Sequence, residues 1–159
     1  MPRPSTRQPA VNVAALVGHT VLRNNQMDRL DRAASSEEIA AMRLQLEEAL
    51  LNGALGLSSG LASGSAFAAP VEEGMALAGA LYPTHMRTEF DAILDAMEEA
   101  YRVGRHARVP VVISHLKCAG PSNWGGQRRG ARLARPGAPH PAGRLRLLPR
   151  TAAARRRSI

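Results

Sequence analysis

Ala80-Leu81-Tyr82-Pro83-Thr84-His85-Met86-Arg87 and Val109-Pro110-Val111-Val112-Ile113-Ser114-His115-Leu116-Lys117 are two strand-like runs of one build, each ending in a histidine-bearing segment. Between them Phe90, Ile93, Leu94, Met97, Ala100 and Tyr101 recur at helical spacing, while Asp91, Asp95, Glu98 and Glu99 face outward. The pattern is a βα unit with one imidazole at the C-terminal end of each strand. The 30 residues from His85 to His115 suit a strand-helix-strand repeat of about 30 residues. In barrels and open sheets of parallel strands, the loops at those ends hold ligands and metals. The pair therefore raises the question of a shared metal ion.

Outward from this unit the alternation continues. Val11 to Val17 is a short, nearly continuous apolar run ended by Gly18-His19-Thr20, as suits a parallel strand buried on both faces. Asn24 to Asp31 reads as a loop or short helix. Ser35-Ser36-Glu37-Glu38 is a capping box, followed by Ile39, Met42, Leu46 and Leu50 at helical spacing and by Asn52-Gly53 as a stop. Ala54 to Gly60 reads as the second strand. After a small, polar loop from Leu61 to Ala69, Pro70-Val71-Glu72-Glu73 opens another helix. That helix is short, since only Gly74 to Gly79 separate it from the next strand and a crossover normally spans at least ten to twelve residues. The helix after His85 should end near Gly104. Four strands with intervening helices predict an α/β chain carrying about four βα units, half of a (β/α)8 TIM barrel.

Composition divides the chain. Its 159 residues carry a net charge of +8, yet all thirteen acidic residues lie at or before Glu99. Residues 1–125 hold eleven cations against those thirteen acids, a net of −2, whereas residues 126–159 carry +10. In that last segment Arg, Ala, Pro and Gly make up 25 of 34 residues, with no aromatic and no helix or strand period. Two units follow, a barrel portion at 1–125 and a basic, low-complexity tail at 126–159 that is expected to be disordered. An Arg-rich arm can neutralise phosphates, but this one lacks interleaved aromatics and a binding fold. With 20 Arg and a single Lys, the chain has the bias of a GC-rich coding sequence, and the tail is also expected to be an out-of-frame translation product. Cys118 is the sole cysteine, so no internal disulfide framework exists. The longest early apolar run is too short for a membrane span and lacks a signal-peptide layout. A cytoplasmic setting is the expectation.

Five segments occur in order: Asn12-Val13-Ala14-Ala15-Leu16-Val17-Gly18-His19, Gly53-Ala54-Leu55-Gly56-Leu57-Ser58-Ser59-Gly60-Leu61, Thr84-His85-Met86-Arg87, Ser114-His115-Leu116-Lys117, and Ala119-Gly120-Pro121-Ser122-Asn123-Trp124-Gly125. Together they resemble the N-acyl-D-amino-acid deacylases (D-aminoacylases) of the amidohydrolase superfamily over about residues 9–125. The resemblance implies a (β/α)8 barrel beside a small β-domain, with metal at the barrel mouth. It implies His85 and His115 as zinc ligands and Lys117 as an active-site residue that meets the substrate carboxylate. His19 either lines the same pocket or caps its loop. The family's His-x-His pair, cysteine ligand and catalytic aspartate have no counterpart, so no catalytic residue is assigned. Cys118 belongs to the Ser-His-Leu-Lys segment itself and is not that ligand.

The chemistry fits the resemblance. Neutral imidazole is a good zinc ligand, and a catalytic site needs about three protein ligands plus an open position. Water bound there falls toward a pKa of ~7 and attacks an amide carbonyl that the metal polarises. A carboxylate nearby would act as base and then protonate the leaving amine. If the fourth strand runs through Lys117, alternation puts His115 and Lys117 on one face.

Each residue also has a plainer reading. A strand-end histidine taken alone is more often structural than a ligand, and only the ordered motifs reverse this for His85 and His115. His106, in a helix-end run, reads as solvated. His140 lies in the tail and has no role. Cys118 reads as a buried small apolar residue facing away from His115. Arg87 reads as the partner of Glu89 or Asp91.

The function that results is hydrolysis of the amide bond of small N-acyl-D-amino acids to a carboxylate and a D-amino acid, by a zinc-dependent hydrolase acting on non-peptide C–N bonds. The chain itself resembles a fragment of a degraded or mis-called gene, expected to be inactive, marginally stable and weak in zinc binding through two ligands. The alternatives are a hydantoinase- or dihydroorotase-like amidohydrolase and a non-catalytic nucleic-acid-binding protein using the basic tail. Neither a membrane nor nucleic acid is the expected partner.

Overall fold

Val111, Val112 and Ile113 are β-branched and buried, and they pair in parallel with Tyr82, Pro83 and Thr84, so the two histidine-bearing runs are adjacent strands. The structure, a computed structural model, describes residues 11–124 and the backbone of residues 146–147. Its strands are β1 (Val17–Gly18), β2 (Leu57–Gly60), β3 (Tyr82–His85), β4 (Val111–Ile113) and β5 (Arg146–Leu147). All are parallel and lie in chain order, with Val17 opposite Leu57, Ser59 opposite Thr84, and Thr84 opposite Ile113. A doubly wound sheet reverses its strand order at a switch point. From β1 to β4 there is no reversal, which is the winding of a barrel.

Helices α1 (His19–Gln26), α2 (Ser36–Leu51), α3 (Val71–Leu77) and α4 (Ile93–Ala107) connect the strands and pack on one another in sequence, α1 on α2, α2 on α3 and α3 on α4. The expected capping box opens α2: the Glu38 amide donates to Ser35 Oγ at 3.3 Å, and the Ser35 amide donates to Glu38 Oε2 at 2.7 Å. As expected, α3 is short, with seven residues. The apolar face of α4 buries Ile93, Met97, Ala100, Tyr101 and Val103 against the sheet and α3. Gly104 lets α4 approach β4, because a Cβ there would lie 2.2 Å from Val111 Cγ2.

Four expectations change. The first strand is only Val17–Gly18, and Val11 and Val13 are 71% and 73% exposed rather than buried on both faces. They precede β1 in the chain and are not covered by the described elements. Phe90 is outside α4 and exposed, because the chain turns through residues 89–92 before the helix starts. The helix passes Gly104 and stops at Ala107, where Arg108 takes a left-handed conformation at φ 57°. The tail, expected to hold no strand, contributes the two-residue β5, with Arg146 opposite Val112 and Leu147 opposite Ile113. Its expected disorder otherwise lies outside the described residues. No helix among the described residues is long and apolar enough to cross a membrane.

Candidate metal centre

His85 is the last residue of β3 and His115 follows β4 by two, so parallel pairing alone carries both to one end of the sheet. Their ring centroids lie 5.4 Å apart, edge to face at 65°. His85 is half-buried and His115 exposed, which leaves the pair open on one side. Two imidazoles this close suit a single ion, given Zn–N bonds of about 2.0–2.1 Å. Among the described residues no third His, Cys, Asp or Glu joins them to make a three-ligand group. The donor set therefore fits zinc as two ligands of a larger set.

The backbone around His115 departs from the expected strand. Ser114 donates its amide to Thr84 O at 2.9 Å, the last link of that strand to β3. His115 then adopts φ 56°, a left-handed conformation that costs a non-glycine residue roughly 1–2 kcal/mol. Strand alternation accordingly does not set the relation between His115 and Lys117. The Lys117 ammonium is paired with Glu89 Oε2. The Ala119 amide donates to Glu89 O at 2.7 Å, and Asn123 Nδ2 donates to Asp91 Oδ1 at 2.7 Å.

Arg87 pairs with neither Glu89 nor Asp91. Its guanidinium reaches Glu99 on α4 at 2.6 and 3.0 Å and donates to the carbonyls of Phe67 and Ala69. Leu61 donates its amide to His85 O at 3.0 Å. The loop after β2 is thereby fastened beside His85 at both of its ends.

His19 opens α1 and is buried, with Nε2 2.7 Å from Glu73 Oε1. Arg23, one turn on, holds the same carboxylate at 2.6 and 2.7 Å. Burial pushes the Glu73 carboxyl up, but hydrogen bonds from His19 and Arg23 outweigh it and hold the group below the usual carboxylate range. His19 also borders a small cavity beside Ser59, Gly74 and Tyr82. Cys118 is half-buried against the core, and desolvation raises its thiol. His106 is exposed in the last turn of α4, as expected. His140 lies outside the described residues.

Sequence pattern alone assigns no role at the site to Arg23, Glu73, Glu89 or Asn123. Glu73 sits in a helical first turn, where an exposed acid is ordinary, and Arg23 lies in a polar stretch. Only the fold shows that their charges meet in the interior.

No family model matches the chain. A D-aminoacylase from Alcaligenes xylosoxydans xylosoxydans is 47% identical over 125 residues, covering 75% of this chain and 26% of that protein. An N-acyl-D-aspartate deacylase from the same organism is 49% identical over 126 residues, covering 75% and 25%. Over the matched region the chain is similar to N-acyl-D-amino-acid deacylases. A crystal structure of D-aminoacylase, which defines a subset of amidohydrolases, overlays with a TM-score of 0.76 at 42% identity, covering 79% of this chain and 28% of its own. The N-acyl-D-glutamate deacylase of Bordetella bronchiseptica, solved with zinc and a phosphonate mimic of the tetrahedral intermediate, overlays equally at 38% identity. The chain thus spans about a quarter of the length of the deacylases it matches, and its four βα units are part of a (β/α)8 barrel.

Proposed function

We propose that this chain carries one section of the active site of a zinc-dependent N-acyl-D-amino-acid deacylase, with His85 and His115 as two metal ligands. The observation that supports it is the meeting of these two imidazoles, 5.4 Å apart, at the C-terminal ends of neighbouring parallel strands. A zinc ion would supply Lewis acidity there, polarising the amide carbonyl of an N-acyl-D-amino acid and acidifying a water molecule. The chain's own residues bind and orient. His85 and His115 offer neutral nitrogen donors, and the Lys117 ammonium is the candidate for the substrate carboxylate. To take that role Lys117 must share its three donors between the substrate and Glu89. His19 has the lesser claim on substrate, because its Nε2 is engaged by Glu73 inside the protein.

A third metal ligand and a carboxylate base are needed to complete the reaction. No three-ligand group occurs among the described residues, so the isolated chain is expected to bind zinc weakly and to be inactive. Residues 1–125 are the barrel portion under this proposal, and residues 126–159 are a separate basic tail. A cytoplasmic setting accords with the single, unpaired cysteine. The test is deacylation of an N-acyl-D-amino acid by a version of the barrel extended to the length of its relatives. Activity should disappear with chelation and with His115→Ala. Activity that survives both would refute the assignment.

A further inference from the structure

We propose that Glu89 is a positioning residue for the histidine pair: it fastens the segment after β4 so that His115 keeps the left-handed backbone that sets its ring beside His85. This rests on the two histidines being metal ligands. A non-glycine residue in that conformation persists only where its surroundings over-determine it. Before His115 the constraint is the sheet, which ends with the Ser114 amide on Thr84 O. After His115 the constraint comes from the segment that follows β3. Glu89 supplies two of its links, the side-chain pair with Lys117 and the carbonyl that accepts from Ala119 at 2.7 Å. A third link joins Asn123 to Asp91, and Asn123 also donates to Ala119 O at 2.9 Å, which stiffens the returning chain.

The chemistry of Glu89 supports such a role. Its side chain is only 11% exposed, and Oε1 is buried with no hydrogen-bond partner among the described residues. A carboxylate in such surroundings is costly unless a cation compensates it. Lys117 is that cation, so the buried charge holds the ammonium, and with it the chain two residues beyond His115. One acid on the His85 side therefore controls the geometry of the ligand on the next strand.

The test compares the full chain with Glu89→Gln, which keeps the shape and removes the charge, and with Lys117→Met, which removes the same pair from the other side. In the metal-free chain, amide exchange at Ala119 should quicken and the nuclear Overhauser contact between the His85 and His115 rings should weaken in both variants. Zinc affinity by chelator competition should fall by about tenfold, the lower end for losing a group that orients a ligand. The thermal midpoint of Glu89→Gln should stay close to that of the unsubstituted chain, which separates positioning from general stability. Unchanged ring contacts and Ala119 exchange in both variants would overturn the proposal even if zinc binds. If the unsubstituted chain binds no zinc, the ligand assignment fails, and the proposal fails with it.

Discussion

Arg23 and Glu73 form a fully buried bidentate pair, with Nη1 2.6 and 2.7 Å from the two carboxylate oxygens. The remaining guanidinium donors are used as well. Nε meets Ser65 O at 3.1 Å, while Nη2 meets Leu30 O at 3.1 Å and Arg32 O at 2.7 Å. Glu73 in turn accepts from the Ala34 amide at 3.3 Å and lies against His19. The cluster ties α1, the approach to α2, the loop after β2 and the short α3 into one body.

Breaking this pair from one side should be severe. Arg23→Met or Glu73→Gln is expected to destabilise the chain by roughly 3–5 kcal/mol, because each leaves an uncompensated buried group. The double variant should cost less than the sum of the two. Urea unfolding of the four chains measures the difference, and strict additivity would show that the charges do not interact.

Acid should act through carboxylates held low in the folded chain, Glu38 and Glu73 among them. Glu38, hydrogen-bonded to Arg32 and to the Ser35 amide, is pushed down to about 2, and Glu73 is also held low by its partners despite burial. A carboxyl with a depressed folded-state pKa contributes stability that is complete above its unfolded value and lost as pH falls through the folded one. Stability should thus hold at neutral pH and decline from about pH 4.5 toward pH 2. In Glu38→Gln that decline should be shallower when thermal midpoints are followed against pH. An identical slope would remove Glu38 from the explanation.

Gly104 is the point where α4 meets β4. Gly104→Ala places a methyl group 2.2 Å from Val111 Cγ2 and should cost about 1–3 kcal/mol through overpacking. Because Val111 opens the strand that leads to His115, the same change should alter the His115 ring signals. A neutral effect on unfolding would mean that the contact relaxes freely.

Much of this was legible in the chain. The capping box at Ser35 and Glu38, the brevity of α3 and the neighbouring positions of β3 and β4 follow from local pattern, which short-range hydrogen bonds and apolar periodicity enforce. The two histidines could be found because they close matching strand-like runs of sequence. The His115 turn was not legible, since strand alternation offers no sign of where a ladder stops and a left-handed residue begins. Nor were the Lys117–Glu89, Arg87–Glu99 and Arg23–Glu73 pairs, because partners separated by 28, 12 and 50 residues are chosen by the packing of whole elements. The exposed Val11 and Val13 follow the same rule: the sequence encodes a strand for burial, but only a neighbour can bury it.

Cutting the chain after Gly125 tests the two-unit division. The truncated form should keep its helical signal and most of its thermal midpoint, since the tail contributes only the two-residue β5 to the described sheet. Loss of cooperative unfolding would show that residues 126–159 are integral to the fold.

The most direct measurement is a zinc titration of the full chain followed by the side-chain nitrogen resonances of its five histidines. His85 and His115 should move together along one shallow binding curve, with His19, His106 and His140 unmoved, and His115→Ala should abolish the shift at His85. Zinc that moves His106 or His140 instead, or that moves His85 without His115, would contradict a metal centre at the ends of β3 and β4.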